Sequence, residues 1–145
     1  MKTQLIMCAF IAVIIVAACH IGRNTTESVP FRWYAYLRGK DFRKGDYIIF
    51  KEQADPLHVL PKGAKLVKQA ACTEGMELVT TDKDFICDGE YISKRIDPEK
   101  MSFSFAGKIP TGKVFVLGTH KRSYDSRIWG LLDESNIIGT VYPLF

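Results

Sequence analysis

The sequence predicts a mainly β domain behind one N-terminal apolar segment, and three observations carry that expectation. Beyond position 30 the apolar runs are short and separated by Gly- or Pro-bearing turns. No stretch there sustains a period of 3.6 residues, which argues against long helices. Ahead of them Leu5–Ile21, LIMCAFIAVIIVAACHI, holds no carboxylate, Lys or Arg. At about seventeen residues it has the short end of the length that spans a bilayer as one transmembrane helix. The chain therefore divides into residues 1–21, a membrane anchor or signal segment, and residues 22–145, an extracytoplasmic domain. Roughly 120 residues remain for that domain, enough for one modest core.

Three readings of the first segment are open: a retained anchor, a cleaved secretory signal whose n-region holds only Lys2, and a lipoprotein signal ending in Val16-Ala17-Ala18-Cys19. A retained, unlipidated anchor is the one adopted. Phe31–Leu37 is strongly aromatic and suits either a core strand or the headgroup region of a membrane. Gly45-Asp46 makes a turn before the apolar run Tyr47–Phe50. Asp55–Gly63, with Pro56, Pro61 and Gly63, is a loop, and Leu66–Ala71 is the next strand, with Lys68 inside it. Glu74-Gly75 turns the chain into Met76–Thr80, and Asp88-Gly89 centres a hairpin over Phe85–Ile92. Asp97–Met101 reads as one helical turn. Lys113–Leu117 is a strand, Gly118–Gly130 a charged polar loop, and Ile137–Tyr142 the closing strand.

Composition narrows the function. The net charge is +4, and the densest basic stretch is only Arg38, Lys40, Arg43 and Lys44 around Gly39, Asp41 and Phe42. That is a solvated loop rather than a nucleic-acid surface. No Cys-x-x-Cys or His-x-x-x-His spacing supports a metal site. Cys72 and Cys87 are an isolated pair in an oxidising compartment and read as a disulfide.

Ser28, a few residues past the apolar run, is the candidate nucleophile, and a serine hydroxyl needs a base. The histidines are His20, His58 and His120, and His120 with Asp125 nominally completes a Ser-His-Asp set without any specific spacing. Lys68, between Leu66-Val67 and Ala70-Ala71, is the alternative, because burial disfavours an ammonium and lowers its pKa.

Several stretches, in order, resemble the signal peptidase I superfamily of serine–lysine peptidases, most closely the TraF-type peptidases of conjugative transfer. Asn24-Thr25-Thr26-Glu27-Ser28-Val29-Pro30 is similar to that branch's nucleophile motif at every fixed position. Gly45–Phe50 resembles the strand that follows, and Val67–Gly75 the segment with the base lysine. Ile109–Gly118, Ser123–Gly130 and the ending Ile138–Phe145 are similar to further family blocks. The resemblance implies Ser28 as nucleophile and Lys68 as general base. It implies an oxyanion hole from the Ser28 amide and the Thr26 hydroxyl, Ser123 as orienter of the Lys68 amine, and an Asp125–Arg127 ion pair behind the site. Three departures stand out: Thr119-His120 where the family has Asp-Asn, Met76 where it has an acidic residue, and Arg32 where it has glycine. The family's large second β-domain has no room, which implies a minimal catalytic core.

The implied protein is an endopeptidase of a bacterial inner membrane, its domain on the periplasmic face. It would process exported precursors with small residues before the cut, such as pilin or transfer-apparatus subunits, by cleavage or by cyclisation. Its partners would be the precursor and membrane lipid, and no cofactor is implied. The rivals are a general signal peptidase and a non-catalytic lipoprotein assembly factor on the same fold.

Overall fold

The computed structural model describes residues 4, 6–8, 20–53, 55–96 and 102–145. In chain order the strands are β1 (His20–Arg23), β2 (Trp33–Arg38), β3 (Tyr47–Lys51), β4 (Lys65–Cys72), β5 (Glu77–Thr80) and β6 (Asp84–Cys87). They continue with β7 (Glu90–Lys94), β8 (Ala106–Lys108), β9 (Lys113–Leu117), β10 (Leu132–Asp133) and β11 (Ile137–Pro143). A short helix, α1 (Ser126–Trp129), and a 3-10 turn at Glu134–Asn136 lie between β9 and β11. A seven-stranded sheet runs β1-β2-β11-β3-β4-β9-β10, and a four-stranded sheet runs β7-β6-β5-β8. The architecture is mainly β, as expected.

Several expectations need correction. The apolar run was read through Ile21, but His20 and Ile21 belong to β1, where they pair with Tyr36 and Ala35. Backbone pairing with β2 outweighs apolar composition there. Among the described residues no helix is long and apolar enough to cross a membrane. Most of Leu5–Ile21, including Cys19, and the whole of the Asp97–Met101 turn lie outside the described residues. The closing strand β11 is interior to its sheet, hydrogen-bonded to β2 on one side and β3 on the other. The small sheet adds β8 to the expected strands, so the domain carries more than a lone hairpin beside its main sheet.

The elements follow from local chemistry. Asp88 and Gly89 both take positive φ, 50° and 78°, which the tight β6–β7 turn requires and which Asp and Gly tolerate. The alternation within β3 and β4 splits the large sheet's side chains between two apolar clusters. One gathers Ile48, Phe50, Ala70, Val114, Val116 and Leu132. The other gathers Val29, Tyr34, Tyr36, Ile49, Val67 and Val141. A third cluster, with Leu78, Phe85, Ile109 and Phe115, cements the small sheet to the large one. Each fully buried side chain of this size stabilises by about 1.5–3 kcal/mol. Tyr34, Ala35 and Tyr36 are buried, so the Phe31–Leu37 stretch is a core strand, with Trp33 and Leu37 exposed on either side of them.

The Cys72–Cys87 disulfide joins the end of β4 to the end of β6, linking the two sheets beside the third cluster. With the cysteines 15 apart in sequence, the chain-entropy argument gives it about 3 kcal/mol. Alkylation of unreduced, unfolded protein should leave both cysteines unlabelled. The Cys72→Ala/Cys87→Ala variant should lose about that stability in denaturant titrations, and labelling without reductant would refute the bridge.

Candidate active site

The Ser28 segment is the loop of a hairpin. β1 and β2 pair from Arg23↔Trp33 outward, and the Asn24 amide donates to the Arg32 carbonyl at 2.7 Å, closing the neck of loop 24–32. Val29, buried among Tyr34, Ile49 and Val67, anchors that loop in the core directly after Ser28. The Thr26 and Ser28 hydroxyl oxygens are 2.7 Å apart, within hydrogen-bonding reach of each other.

Lys68 arrives from the middle of β4, opposite Ile48 of β3. It is only 3% exposed, and its amine donates to Ser123 Oγ at 2.7 Å. The strand period places the Lys68 side chain on the face of Leu66 and Ala70. Val67, expected to help desolvate it, points to the opposite face, into the Val29 cluster. Burial drives the Lys68 pKa from 10.5 down to about 8; Asp125 opposes that shift and Arg127 reinforces it.

The segment covering Lys68 has the composition of a charged polar loop, yet Ser123, Asp125, Ser126 and Arg127 are all buried. They are tolerated because they satisfy one another. The Asp125 carboxylate caps α1 by accepting from the Arg127 amide at 3.1 Å and takes the Gly118 amide at 2.8 Å. Arg127 returns two further bonds to it, from Nε at 2.9 Å and Nη2 at 2.7 Å. Arg127 Nη2 also donates to the His120 carbonyl at 3.2 Å. Ser126 Oγ accepts from the Val116 amide of β9, which fastens α1 to the sheet.

This arrangement argues against the Ser28–His120–Asp125 alternative. The hydrogen bonds of Asp125 run to Arg127 and the Gly118 amide, and His120 Nδ1 accepts from the Arg122 amide at 3.2 Å. Nothing couples the imidazole to the carboxylate as a triad requires.

Ser28 and Lys68 line one cavity of about 430 Å³, with Thr26, His120, Arg122 and Ser123 around them. The Ser28 loop and the Ser123 segment meet at Gly118. A Cβ there would overlap Ser123 Oγ and sit 3.0 Å from the Ser28 carbonyl oxygen, so only glycine allows this approach. The next residue, one of the departures, contributes through its backbone. The Thr119 amide donates to the Ser28 carbonyl at 2.8 Å, a backbone contact that does not depend on the side chain at 119. Met76 sits where an acid was expected, its sulfur 3.8 Å from that of Cys87 and packed against the third cluster. Leu66, expected to help desolvate Lys68, lines the cavity, as do Tyr124 and Leu60, which were not singled out in the sequence; the adjacency of Tyr124 to Ser123 was the available signal. Among the described residues no cluster of His, Cys, Asp and Glu is arranged to hold a metal.

The whole chain, residues 1–145, matches the family described as signal peptidase, peptidase S26. The chain belongs to that family. A curated relative, a probable signal peptidase I-1 of Synechocystis sp. (strain ATCC 27184 / PCC 6803 / Kazusa), is 29% identical over 79 residues, 53% of this chain and 40% of its own length. The chain thus spans well under half of that relative. A crystal structure of a signal peptidase I from Enterococcus faecalis V583 aligns with 70% of this chain and 97% of its own, at 20% identity and a TM-score of 0.49.

Burying Lys68 within this S26 domain has a thermodynamic signature. Below pH 8 the amine is charged in the folded and unfolded chain alike, and the folded state bears the full desolvation cost. Between pH 8 and 10.5 the folded protein has released a proton that the unfolded chain still holds, so stability rises with pH. The total is roughly 3 kcal/mol. Lys68→Met should therefore be the more stable protein at pH 7, with the gap shrinking towards pH 10.5. Chemical denaturation across that range checks it, and a gap independent of pH would contradict it.

Proposed function

We propose that this chain is a serine–lysine endopeptidase that processes exported precursors, with Ser28 as nucleophile and Lys68 as general base. The observation that carries the reading is the buried, Ser123-bonded amine of Lys68 opening on the same cavity as Ser28. Neutral Lys68 removes the Ser28 proton as Oγ attacks the scissile carbonyl, forming the tetrahedral intermediate. The Ser28 amide and the Thr26 hydroxyl receive the oxyanion. Lys68 then returns the proton to the departing amine, leaving an acyl-enzyme. Water resolves it to a cleaved product, and a substrate amine resolves it to a cyclic one.

The substrate path follows from the register. β9 ends at Leu117 opposite Gln69, so the Lys65–Lys68 half of β4 extends beyond its neighbour on that side. An extended peptide adding to this edge would bring its scissile bond over Ser28. Resemblance of the Asn24–Pro30 motif to the TraF-type branch favours a pilin or conjugative-transfer subunit as the precursor. Removal of signal peptides in general is the second reading, which family membership supports equally.

The apolar run ahead of β1 serves as a retained anchor in a bacterial inner membrane, with the domain from His20 on its periplasmic side. Supporting this, the cross-strand pairs Ile21↔Ala35, Tyr142↔Ala35 and Thr140↔Leu37 place Ile21, Trp33, Leu37 and Tyr142 on one face. All four are exposed, and the Arg23 guanidinium lies 5.5 Å over the Trp33 ring. Exposed Trp and Tyr beside a basic group suit a headgroup layer. The chain has only Trp33 and Trp129. Brominated lipid should quench the fluorescence of Trp129→Phe protein in vesicles and spare Trp33→Phe. Equal response of the two would remove lipid from the reading.

Ser28→Ala and Lys68→Ala should each abolish precursor processing while the proteins still fold. The wild-type kcat/KM should rise through a midpoint near the Lys68 value of about 8 as the base becomes neutral. Substantial cleavage by either variant, or a flat profile across that pH, would defeat the dyad.

A further inference from the structure

The segment that follows β9 forms a four-residue turn whose charge nothing in the fold requires. The Ser123 amide donates to the His120 carbonyl at 2.9 Å, closing the turn His120–Ser123, and Arg127 Nη2 reaches the same carbonyl at 3.2 Å. Ser123, at its end, is the partner of Lys68, so the turn is fixed relative to the base. Lys121 and Arg122 at its centre take no positive φ, so most residues would serve the backbone there. Arg122 is exposed, lines the Ser28 cavity and belongs to no ion pair among the described residues.

His120 lines the same space with a defined proton. Its Nδ1 accepts from the Arg122 amide at 3.2 Å, so the neutral ring carries its hydrogen on Nε2. Beyond Lys68, whose amine is engaged with Ser123, the cavity therefore has an imidazole donor and a fixed guanidinium cation. Its one lining carboxylate among the described residues is Glu27, which belongs to the Ser28 loop rather than to this turn.

The register decides which half of a bound peptide meets the turn. The free edge of β4 runs over Lys65–Lys68 and stops there, because Leu117 of β9 pairs with Gln69. A peptide added to that edge cannot continue along β4, and its unpaired half turns outward past Gly118–Ser123. Strand pairing suits the half that stays attached to Ser28 in the acyl-enzyme, so the unpaired half is the one that departs. Selection of that half has no ladder to rely on, and a cation at the rim provides it through charge.

We propose that His120 and Arg122 are specificity-determining residues that select an acidic side chain among the first residues after the cut. The inference deepens the peptidase reading and rests on it for the extended peptide. Three fluorescent peptides test it, alike in carrying Ala-x-Ala before the cut and differing only in Asp, Asn or Lys at the two residues after it. Each is titrated by anisotropy against Ser28→Ala protein and then offered to the Ser28 protein as a substrate.

The Asp peptide should bind about fivefold more tightly than the Asn peptide, the upper range of a solvent-accessible ion pair, and the Lys peptide should bind least. Added salt should narrow the gap. Arg122→Ala should bring the Asp and Asn peptides to within about twofold, and Arg122→Glu should invert the order in favour of Lys. His120→Ala should lower the Asp preference by about twofold, as loss of one donor to a carboxylate requires. Equal binding of the three peptides, an Asp preference that survives Arg122→Glu or His120→Ala intact, or failure of all three to bind would overturn the proposal. Arg122 sits exposed at a permissive turn, so its variants decide alone where a melting curve shows His120→Ala unfolded. The two readings separate cleanly. Charge-ordered binding without cleavage by the Ser28 protein refutes the peptidase, while cleavage with a kcat/KM blind to the charge after the cut refutes only the selection.

Discussion

The constraint on which the rest of the structure depends is the burial of one amine. Taking an ammonium out of water costs several kcal/mol, and Lys68 has a single close hydrogen-bond partner, Ser123. What covers it is itself polar, so the problem is passed to the segment between β9 and α1. There it is settled internally. Asp125 takes bonds from the Gly118 amide and from Arg127, and Arg127 also reaches the His120 carbonyl and, at 3.3 Å, Ser93 Oγ of β7. The cover is thus held by charge-assisted bonds while the amine beneath it stays short of partners, which is the condition that favours its neutral form.

The serine is held by different means. Its loop is the connection of the β1–β2 hairpin, fixed at the neck by Asn24 and Arg32 and in the core by Val29. Between that hairpin and β4 the sheet inserts β11 and β3. The pairing of β11 with both neighbours therefore sets the distance across which the two groups face each other. The arms touch where Gly118 admits both Ser123 and the Ser28 carbonyl. A small S26 domain can consequently build a cavity from three chain segments far apart in sequence, with no element longer than eight residues among the described ones.

Much of the fold was legible because its signals are local. Turn dipeptides such as Asp88-Gly89 declare the backbone angles they tolerate, and apolar runs of strand length declared β3, β4, β9 and β11. Strands β1, β8 and β10 were missed. They have four, three and two residues, too few for a period to show, and they exist because a neighbouring strand offers free backbone groups. The burial of the charged stretch from Gly118 to Gly130 was not legible in its composition for a related reason. Composition counts Asp125 and Arg127 as solvated, whereas their mutual bonds let both be buried.

By itself the sequence determined a mainly β chain, the pairing of Cys72 with Cys87, and which serine and lysine to examine. These follow from residue type and from order along the chain, which need no third dimension. Only the tertiary structure decided that Lys68 turns inward with Leu66 while Val67 turns away; the Ser123–Lys68 and Asp125–Arg127 contacts it shows were already implied by the family resemblance. It also decided that the Thr119 backbone, whatever its side chain, holds the Ser28 carbonyl. The physical reason is that desolvation and hydrogen-bond satisfaction are properties of a packed neighbourhood. The partners that set them lie tens of residues apart until the sheet brings them together.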